Sequence, residues 1–416
     1  MNKLALTKMQ KAYLSGEKLT SRLGGTCTHI YMEVEGKNIL PALLKEAWIK
    51  VLKTHPVLEA KVHNQEELLF NKSHYNECVP VFDLREMSGA EAEKELMQIR
   101  RAVRGRKLRT ELGHTCGLFL SLCPEGRCRI HFDLSLAVCD VVSFQILLRD
   151  LAGAYTGTLP DRTVNPKTGQ RTYSESDRKY WMDRIQEFPT GLTLDLAGRP
   201  EKMHGCEYRP LSFILPKVKW KSFMRNASDI GAGPHLAVMG AFSYILHQFS
   251  GDGRFLLNVP VFCRDGTEMN YLADDTQLLL LESIHRDEDT FSGFLSRLLG
   301  QYKRDRKHLA FDGLEVQNVI KKQRPVAEWP APVVFSCTPQ IQLLSGGFED
   351  TFGKLVYMVS QTPQVWLDAQ IHEMEDGLGS FWMIPEGLFS DAYIQTMFQS
   401  YADFLERLAS DKAAWN

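Results

Sequence analysis

Several features that commonly indicate a protein's class are missing from this sequence. No apolar run is long enough to span a bilayer, and the N-terminal residues lack the extended apolar stretch of a secretory signal. No basic block stands out, and 49 basic residues nearly balance 51 acidic ones. These absences argue against nucleic acid and membrane as partners, so we expect a cytoplasmic protein.

Metal and nucleotide motifs are also missing. The nine cysteines are scattered, and none forms a CxxC pair or a Cys/His cluster with metal-site spacing. Gly24-Gly25 is not followed by a phosphate-loop pattern. Cys123 and Cys128 flank a turn and are expected to be neighbouring reduced thiols. The sequence therefore predicts no metal and no bound cofactor.

The order of strand and helix patterns favours an α+β fold. The chain is long enough for two domains or one two-lobed unit, and both halves mix alternating strand patterns with helical ones. The stretch 156–176, rich in Gly, Pro, Thr and Arg, is the best internal linker. We expect two lobes, each with helices that cover a sheet.

One segment, 130–152, joins a β-rich apolar run to an amphipathic helix. Asp140 lies between them, and Ser143 is expected to be the helix N-cap. This segment resembles the core motif of the condensation-domain superfamily of nonribosomal peptide synthetases. Ordinary members carry HHxxxDG, but Ser135 and Leu136 occupy the two His positions here. Asp140-x-x-Ser143 instead resembles the heterocyclization branch, DxxxxDxxS, with Ser135 in place of the first Asp.

Further segments extend the resemblance over nearly the whole chain in the correct order. The residues 6–13 resemble "LTxxQxAY", and 47–60 resemble "AWxxxxxxHPxLxA". The later matches are 257–264 to "LNLTLFxR", 273–276 to "GDFT", 332–337 to "PVVFTS" and 360–370 to "SQTPQVWLDxQ". The last of these is matched almost residue for residue.

The resemblance implies an architecture and an activity. It implies two chloramphenicol-acetyltransferase-like lobes, 1–165 and 166–416, in a V-shaped arrangement around a central tunnel. Such domains join an acyl thioester to a Cys, Ser or Thr thioester and then close a thiazoline or oxazoline ring. Both substrates arrive on phosphopantetheine arms of upstream and downstream peptidyl or aryl carrier proteins. A monomer with no bound cofactor is expected.

The family's acid/base residues correspond to Asp368 and Ser336 in this chain. A carboxylate beside a small hydroxyl can move the protons of ring closure. Ser in place of the family's Thr keeps the hydroxyl, and apolar neighbours of Asp368 would raise its pKa if it is buried. Thr362 and Gln370 are tunnel candidates. Asn258 either lines the tunnel or satisfies a strand.

Several alternatives remain open at this point. Asp140 and Ser143 are expected to be structural rather than catalytic, with Asp140 holding the loop through an Arg or backbone N–H groups. Loss of the motif acid at Ser135 would suit a catalytically silent module that recruits a carrier protein or an enzyme. Condensation without ring closure is another possibility. The absence of a His at position 136 argues against an acyltransferase that uses a small or coenzyme A thioester. No adenylation or carrier segment is recognised, so either an excised domain or a stand-alone protein acting in trans is expected.

Overall fold

The computed structural model describes residues 3–70, 75–166, 172–262, 264, 270–324, 329–344 and 347–416. Within these ranges the chain forms eleven α-helices and fourteen β-strands. The helices are α1 (Lys8–Lys18), α2 (Pro41–Thr54), α3 (Gly89–Arg104), α4 (Val141–Tyr155), α5 (Glu175–Ile185), α6 (Lys217–Asp229), α7 (Pro234–Ser250), α8 (Phe291–Arg306), α9 (Gly313–Gln323), α10 (Phe348–Phe352) and α11 (Asp391–Ser410).

The strands build two large sheets and one small one. The strands are β1 (Lys3–Ala5), β2 (His29–Lys37), β3 (Lys61–His63), β4 (Glu67–Leu69), β5 (Val81–Asp83), β6 (Cys116–Leu122), β7 (Arg127–Ser135), β8 (Tyr208–Pro216), β9 (Arg254–Phe262), β10 (Thr276–Ile284), β11 (Val333–Gln342), β12 (Lys354–Gln361), β13 (Leu367–Met374) and β14 (Gly377–Pro385). The first large sheet has the order β12-β2-β7-β6-β5, and the second has β10-β9-β11-β13-β14-β8. The small sheet is β1-β4-β3.

Helices α2 and α4 pack against each other beside the first sheet. The apolar positions of α4 recur at helical spacing, and Phe144, Leu147, Leu148 and Leu151 are fully buried. In α2, Trp48 is also fully buried, and its indole N–H donates to the carbonyl of Asn76 at 2.7 Å. The first core therefore forms from the periodicity that the sequence displays.

Helices α7, α8 and α11 supply much of the second core. The strands β11 and β13 of the second sheet are parallel and adjacent, and their side chains alternate between two faces as far as the pair Cys337 and Ile371, after which the register shifts. Phe335, Leu367, Ala369 and Ile371 face this core. The intervening residues face the other way, and they form the site described in the next subsection.

The α+β fold class is confirmed, and the helix expected in segment 130–152 is present as α4. Strand β13 follows a turn at Gln364, whose φ is 66°. The division at residue 165 remains a prediction, and β12 of the second segment pairs with β2 in the first sheet. Residues 167–171 of the predicted linker lie outside the described residues.

The structure also bears on the cysteines and on membrane insertion. Cys123 and Cys128 are both buried free thiols at the β6–β7 hairpin. Among the described residues, no helix combines the length and the apolar character needed to cross a bilayer.

Candidate active site

Ser336 and Asp368 lie on adjacent parallel strands and face the same cavity. In the register of β11 and β13, Val334 is opposite Asp368, and Ser336 is opposite Gln370. Because side chains alternate along a strand, all four of these even-numbered residues lie on the face that is turned away from the second core. The two residues that the resemblance pairs are therefore brought together by sheet register.

The cavity that they line, called here the inner cavity, has a volume of about 100 Å³. The second large sheet supplies one part of its wall, and the first half of the chain supplies another. Its described lining residues are Met9, Tyr13, Ile30, Leu136, Asp140, Val141, Phe144, Asn258, Pro260, Phe262, Thr276, Leu278, Val334, Ser336, Ser360, Thr362, Val365, Asp368, Gln370 and His372. Ten of these twenty residues are apolar, and apolar atoms form most of the exposed wall.

Asp368 is a buried carboxyl group that is only partly satisfied. Asp368 is 8% exposed. Gln370 Nε2 donates a hydrogen bond to its Oδ2 at 2.7 Å. Oδ1 has no hydrogen-bond partner among the described atoms. Burial raises the pKa of Asp368 to about 6, although the Gln370 hydrogen bond opposes this shift. A carboxyl group with this pKa and a free oxygen can accept and return a proton near neutral pH.

A larger cavity of about 520 Å³, the outer cavity, adjoins the inner one. The two share the lining residues Met9, Tyr13, Asn258, Leu278, Thr362 and Val365. Helices α1 and α9 supply part of its wall, including Lys8, Lys321 and Glu315, and Lys8 pairs with Glu315 at 2.5 Å. The outer cavity thus provides an approach with charged groups of both signs to the polar wall around Asp368.

The three tunnel candidates all line the inner cavity. Thr362 and Asn258 lie where the inner and outer cavities meet, whereas Gln370 lines the inner cavity alone. The Tyr208 hydroxyl donates to the Thr362 carbonyl at 2.7 Å, which fixes this part of the wall. Asn258 is buried on β9, and its Oδ1 lacks a partner within the described part of the chain. This free oxygen favours a lining position over a role in satisfying the strand.

Asp140 begins helix α4 and holds a corner between the two halves of the chain. Its Oδ1 accepts from the Ser143 backbone N–H at 2.7 Å and from Arg264 Nη2 at 2.7 Å. Its Oδ2 accepts from the Asp275 backbone N–H at 3.1 Å. The expected Arg partner is therefore present, and this carboxylate is fully engaged in structure.

The prediction that Ser143 is the N-cap is wrong. Asp140 is the N-cap, and Ser143 is the third residue of α4. The Ser143 hydroxyl instead donates to the Ala273 carbonyl at 2.7 Å and accepts from Arg264. Asp and Ser are both strong capping residues, and the tertiary contacts of Ser143 decide between them here.

Ser135, which occupies the motif's first acidic position, lies at the end of β7. It is fully buried and does not belong to the described lining of the inner cavity. Its hydroxyl accepts from the Ala137 backbone N–H at 3.2 Å. Two residues earlier on the same face, the buried Asp133 accepts from Arg106 Nε at 3.0 Å. Ser135 is therefore not part of the polar wall that β11 and β13 form.

The sequence interpretation missed two titratable residues of the inner cavity. Tyr13 of α1 lines it, and burial, followed by the nearby carboxylates Asp274, Asp368 and Asp140, raises its pKa well above the ordinary value. The phenol is therefore protonated at neutral pH. His372 of β13 is the other, and its period-two spacing from Asp368 and Gln370 was the available signal.

Two mixed sheets with the inner cavity between them form a condensation-type fold. The chain belongs to the condensation domain family, whose model matches residues 1–414. Condensation domains act on carrier-bound substrates without a cofactor of their own. Within the described residues, no cluster of His, Cys, Asp or Glu has the composition of a metal site.

Two curated relatives are large synthetases. Pyochelin synthetase PchE of Pseudomonas aeruginosa is 30% identical over 426 residues, which cover 99% of this chain and 29% of the relative. Phenyloxazoline synthase MbtB of Mycobacterium sp. strain MCS is 30% identical over 425 residues, covering 99% of this chain and 36% of the relative. The chain therefore spans about a third of the length of these relatives.

Solved structures show the same fold. The cyclization-docking bidomain of EpoB from Sorangium cellulosum has a TM-score of 0.86 at 22% identity, over 98% of this chain and 85% of that one. The first condensation domain of the calcium-dependent antibiotic synthetase has a TM-score of 0.76 at 18% identity, over 99% of this chain and 97% of that one. These likenesses extend over both large sheets.

Proposed function

We propose that this chain catalyses heterocyclization-type condensation. In the first step, the amine of a carrier-bound Cys, Ser or Thr thioester attacks an acyl thioester, and a carrier thiol leaves. In the second, the side-chain thiol or hydroxyl attacks the new amide carbonyl, and water leaves to give a thiazoline or oxazoline. The observation that carries this proposal is the buried Asp368 carboxyl, with one free oxygen beside the Ser336 strand.

Ring closure requires two proton movements, and Asp368 is suited to both. The proton of the attacking thiol or hydroxyl ends on the former carbonyl oxygen. The amide N–H proton then joins the departing hydroxyl, and water is released. Asp368 Oδ1 receives each proton in turn and returns it to oxygen. A pKa of about 6 makes both transfers accessible near neutral pH.

The neighbours of Asp368 orient this chemistry. Gln370 binds Oδ2, so Oδ1 is the oxygen available to substrate. The Ser336 hydroxyl, one strand away, donates a hydrogen bond to the oxygen that develops negative charge. The protonated Tyr13 phenol provides a second donor in the same cavity.

Carrier proteins are the proposed partners, one upstream and one downstream. The phosphopantetheine arm of a carrier is long and thin, and it carries a phosphodiester. The outer cavity of about 520 Å³ leads to Asp368, and Lys321 in its wall complements the phosphate. The relatives PchE and MbtB are named as a pyochelin synthetase and a phenyloxazoline synthase, which supports this substrate class.

A silent carrier-binding module is the competing function, and the substitution at Ser135 is its main support. Ser135 is absent from the described lining of the inner cavity, whereas Asp368, Ser336 and Gln370 are all in it. This arrangement favours catalysis over a binding role alone.

A product assay tests the proposal. One purified carrier protein is loaded with an acyl group and a second with Cys, and the products are released and analysed by mass spectrometry. We expect a product lighter than the linear amide by one water. Accumulation of amide alone would reduce the activity to condensation, and carrier binding with no amide would contradict both catalytic steps.

A further inference from the structure

A third polar side chain follows Asp368 and Gln370 on the same face of β13. His372 is 2% exposed and lines the inner cavity. Its Nε2 has no hydrogen-bond partner among the described atoms. A nitrogen without a partner in the wall of a cavity can bind a polar group of a ligand.

The hydrogen bonds behind the ring determine which nitrogen carries the proton. Gln145 Nε2 on α4 donates to Thr338 Oγ1 at 3.3 Å. The Thr338 hydroxyl lies 3.5 Å from His372 Nδ1 and can donate to it. In that arrangement Nδ1 is the acceptor nitrogen of the ring, and Nε2 carries the hydrogen.

The ring is neutral as well as oriented. Burial lowers the pKa of His372 to about 4, so the imidazole carries no charge at neutral pH. The neutral ring consequently carries a single N–H. Its best partner is a neutral acceptor, because a buried anion would lack a compensating charge.

The position of His372 separates it from the bonds that react. Strand rise places its Cα roughly 13 Å from that of Asp368, with Gln370 between them. The outer cavity adjoins the Asp368 end of β13 through Val365, and His372 is not in its lining. A substrate part near His372 therefore lies beyond the reacting carbonyl, several bonds away.

We propose that His372 is a specificity-determining residue that donates a hydrogen bond to a neutral oxygen on the acyl substrate, several bonds from the thioester. This inference rests on the proposed function for the identity of the substrate class. Thr338 is its positioning residue, since it sets the tautomer of the ring without lining the described cavity. Acyl groups with a distal hydroxyl or carbonyl are favoured over their hydrocarbon counterparts.

Binding measurements test this without any turnover. The probes are a straight six-carbon acyl pantetheine and isomers with one hydroxyl at successive carbons, titrated by calorimetry. We expect one isomer to bind the wild type about tenfold more tightly than the parent, the usual value of one hydrogen bond. His372→Phe should reduce this ratio to about one, and His372→Gln should keep part of it.

Variants of Thr338 and a second histidine supply the controls. Thr338→Val removes the hydroxyl beside the ring and should lower the binding ratio. Thr338→Ser keeps this hydroxyl and should retain the wild-type ratio. His247 is also buried, but both of its ring nitrogens are bonded, to Asp252 O at 2.7 Å and Ser283 Oγ at 2.9 Å. His247→Gln should therefore leave the ratio unchanged, whatever it does to stability.

The outcomes distinguish this inference from the proposed function. An equal ratio in the wild type and His372→Phe overturns it, as does a series in which no isomer binds better than the parent. If rings form in the product assay but the binding ratio is one, only the role of His372 is contradicted. If the wild type shows the binding ratio but forms no ring, only cyclization is contradicted.

Discussion

Asp140 and Asp368 are both buried carboxyl groups of the inner cavity, yet their surroundings differ. Asp140 accepts hydrogen bonds from Arg264 and from two backbone N–H groups, so both of its oxygens are engaged. Asp368 accepts one, from Gln370, and keeps one oxygen free. The first arrangement fixes a corner of the fold, and the second leaves a group for chemistry.

The contrast shows that two buried carboxyl groups in one cavity can have different roles, one structural and one chemical. Because Arg264 and two backbone N–H groups bind both oxygens of Asp140, removing this side chain destabilises the fold, and neither oxygen is available to a substrate. Asp368 destabilises the fold when ionised, because burial raises its pKa. A protein retains such a group where a substrate completes its environment. The predictions below test this difference.

The largest effect is expected for Asp368→Asn. Loss of the proton acceptor should lower ring formation about a hundredfold or more, while amide formation persists to a greater extent. The ratio of cyclised to linear product measures this. Melting temperature at pH 8 should not fall, since the variant removes a buried charge.

Asp312 provides the matched control for that variant. Burial also raises the pKa of Asp312 to about 6. Both of its oxygens, however, accept hydrogen bonds: one from the backbone N–H of Leu314 at the start of α9, and one from the backbone N–H of Leu278 in β10. Asp312→Asn should change stability and leave the product ratio unchanged. An equal loss of ring formation in both variants would remove Asp368 from the mechanism.

Asp140→Ala should have its main effect on stability. The change removes the nearer carboxylate of the buried Arg264 and leaves Asp275 at 3.8 Å, and breaking such a buried pair typically costs about 3–5 kcal/mol. Denaturant unfolding measures the loss. Unfolding at the same denaturant concentration as the wild type would show that the corner contributes little.

Ser336 should have a smaller effect on activity. Ser336→Ala removes one hydrogen bond to the reacting oxygen and should slow ring formation about tenfold. Ser336→Thr keeps the hydroxyl and should remain within about threefold of the wild type. If Ala and Thr behave alike in the product assay, the hydroxyl has no part in the reaction.

Part of the site could be predicted from the sequence. Family-like segments identified Asp368, Ser336 and Gln370. The N-cap was assigned to the wrong residue because Asp140 and Ser143 are both good caps. Their long-range contacts with Arg264 and Ala273 distinguish them.

Other features depend on tertiary structure alone. The alternation that relates His372 to Asp368 is visible in the sequence, but the free Nε2 depends on what α4 and β11 place around the ring. Similarly, no local pattern predicts that β12 crosses to the first sheet and pairs with β2. Pairing across such a separation is set by packing.

The pH dependence of ring formation tests the central claim most directly. The ratio of cyclised to linear product is measured from pH 5 to pH 8 in the wild type and in Asp368→Asn. Because the ionised carboxylate accepts the first proton, the wild-type ratio should rise through about pH 6 and then level off. The variant should show a low ratio without this rise. The same rise in both proteins would contradict the assignment of Asp368 as the proton-transferring group.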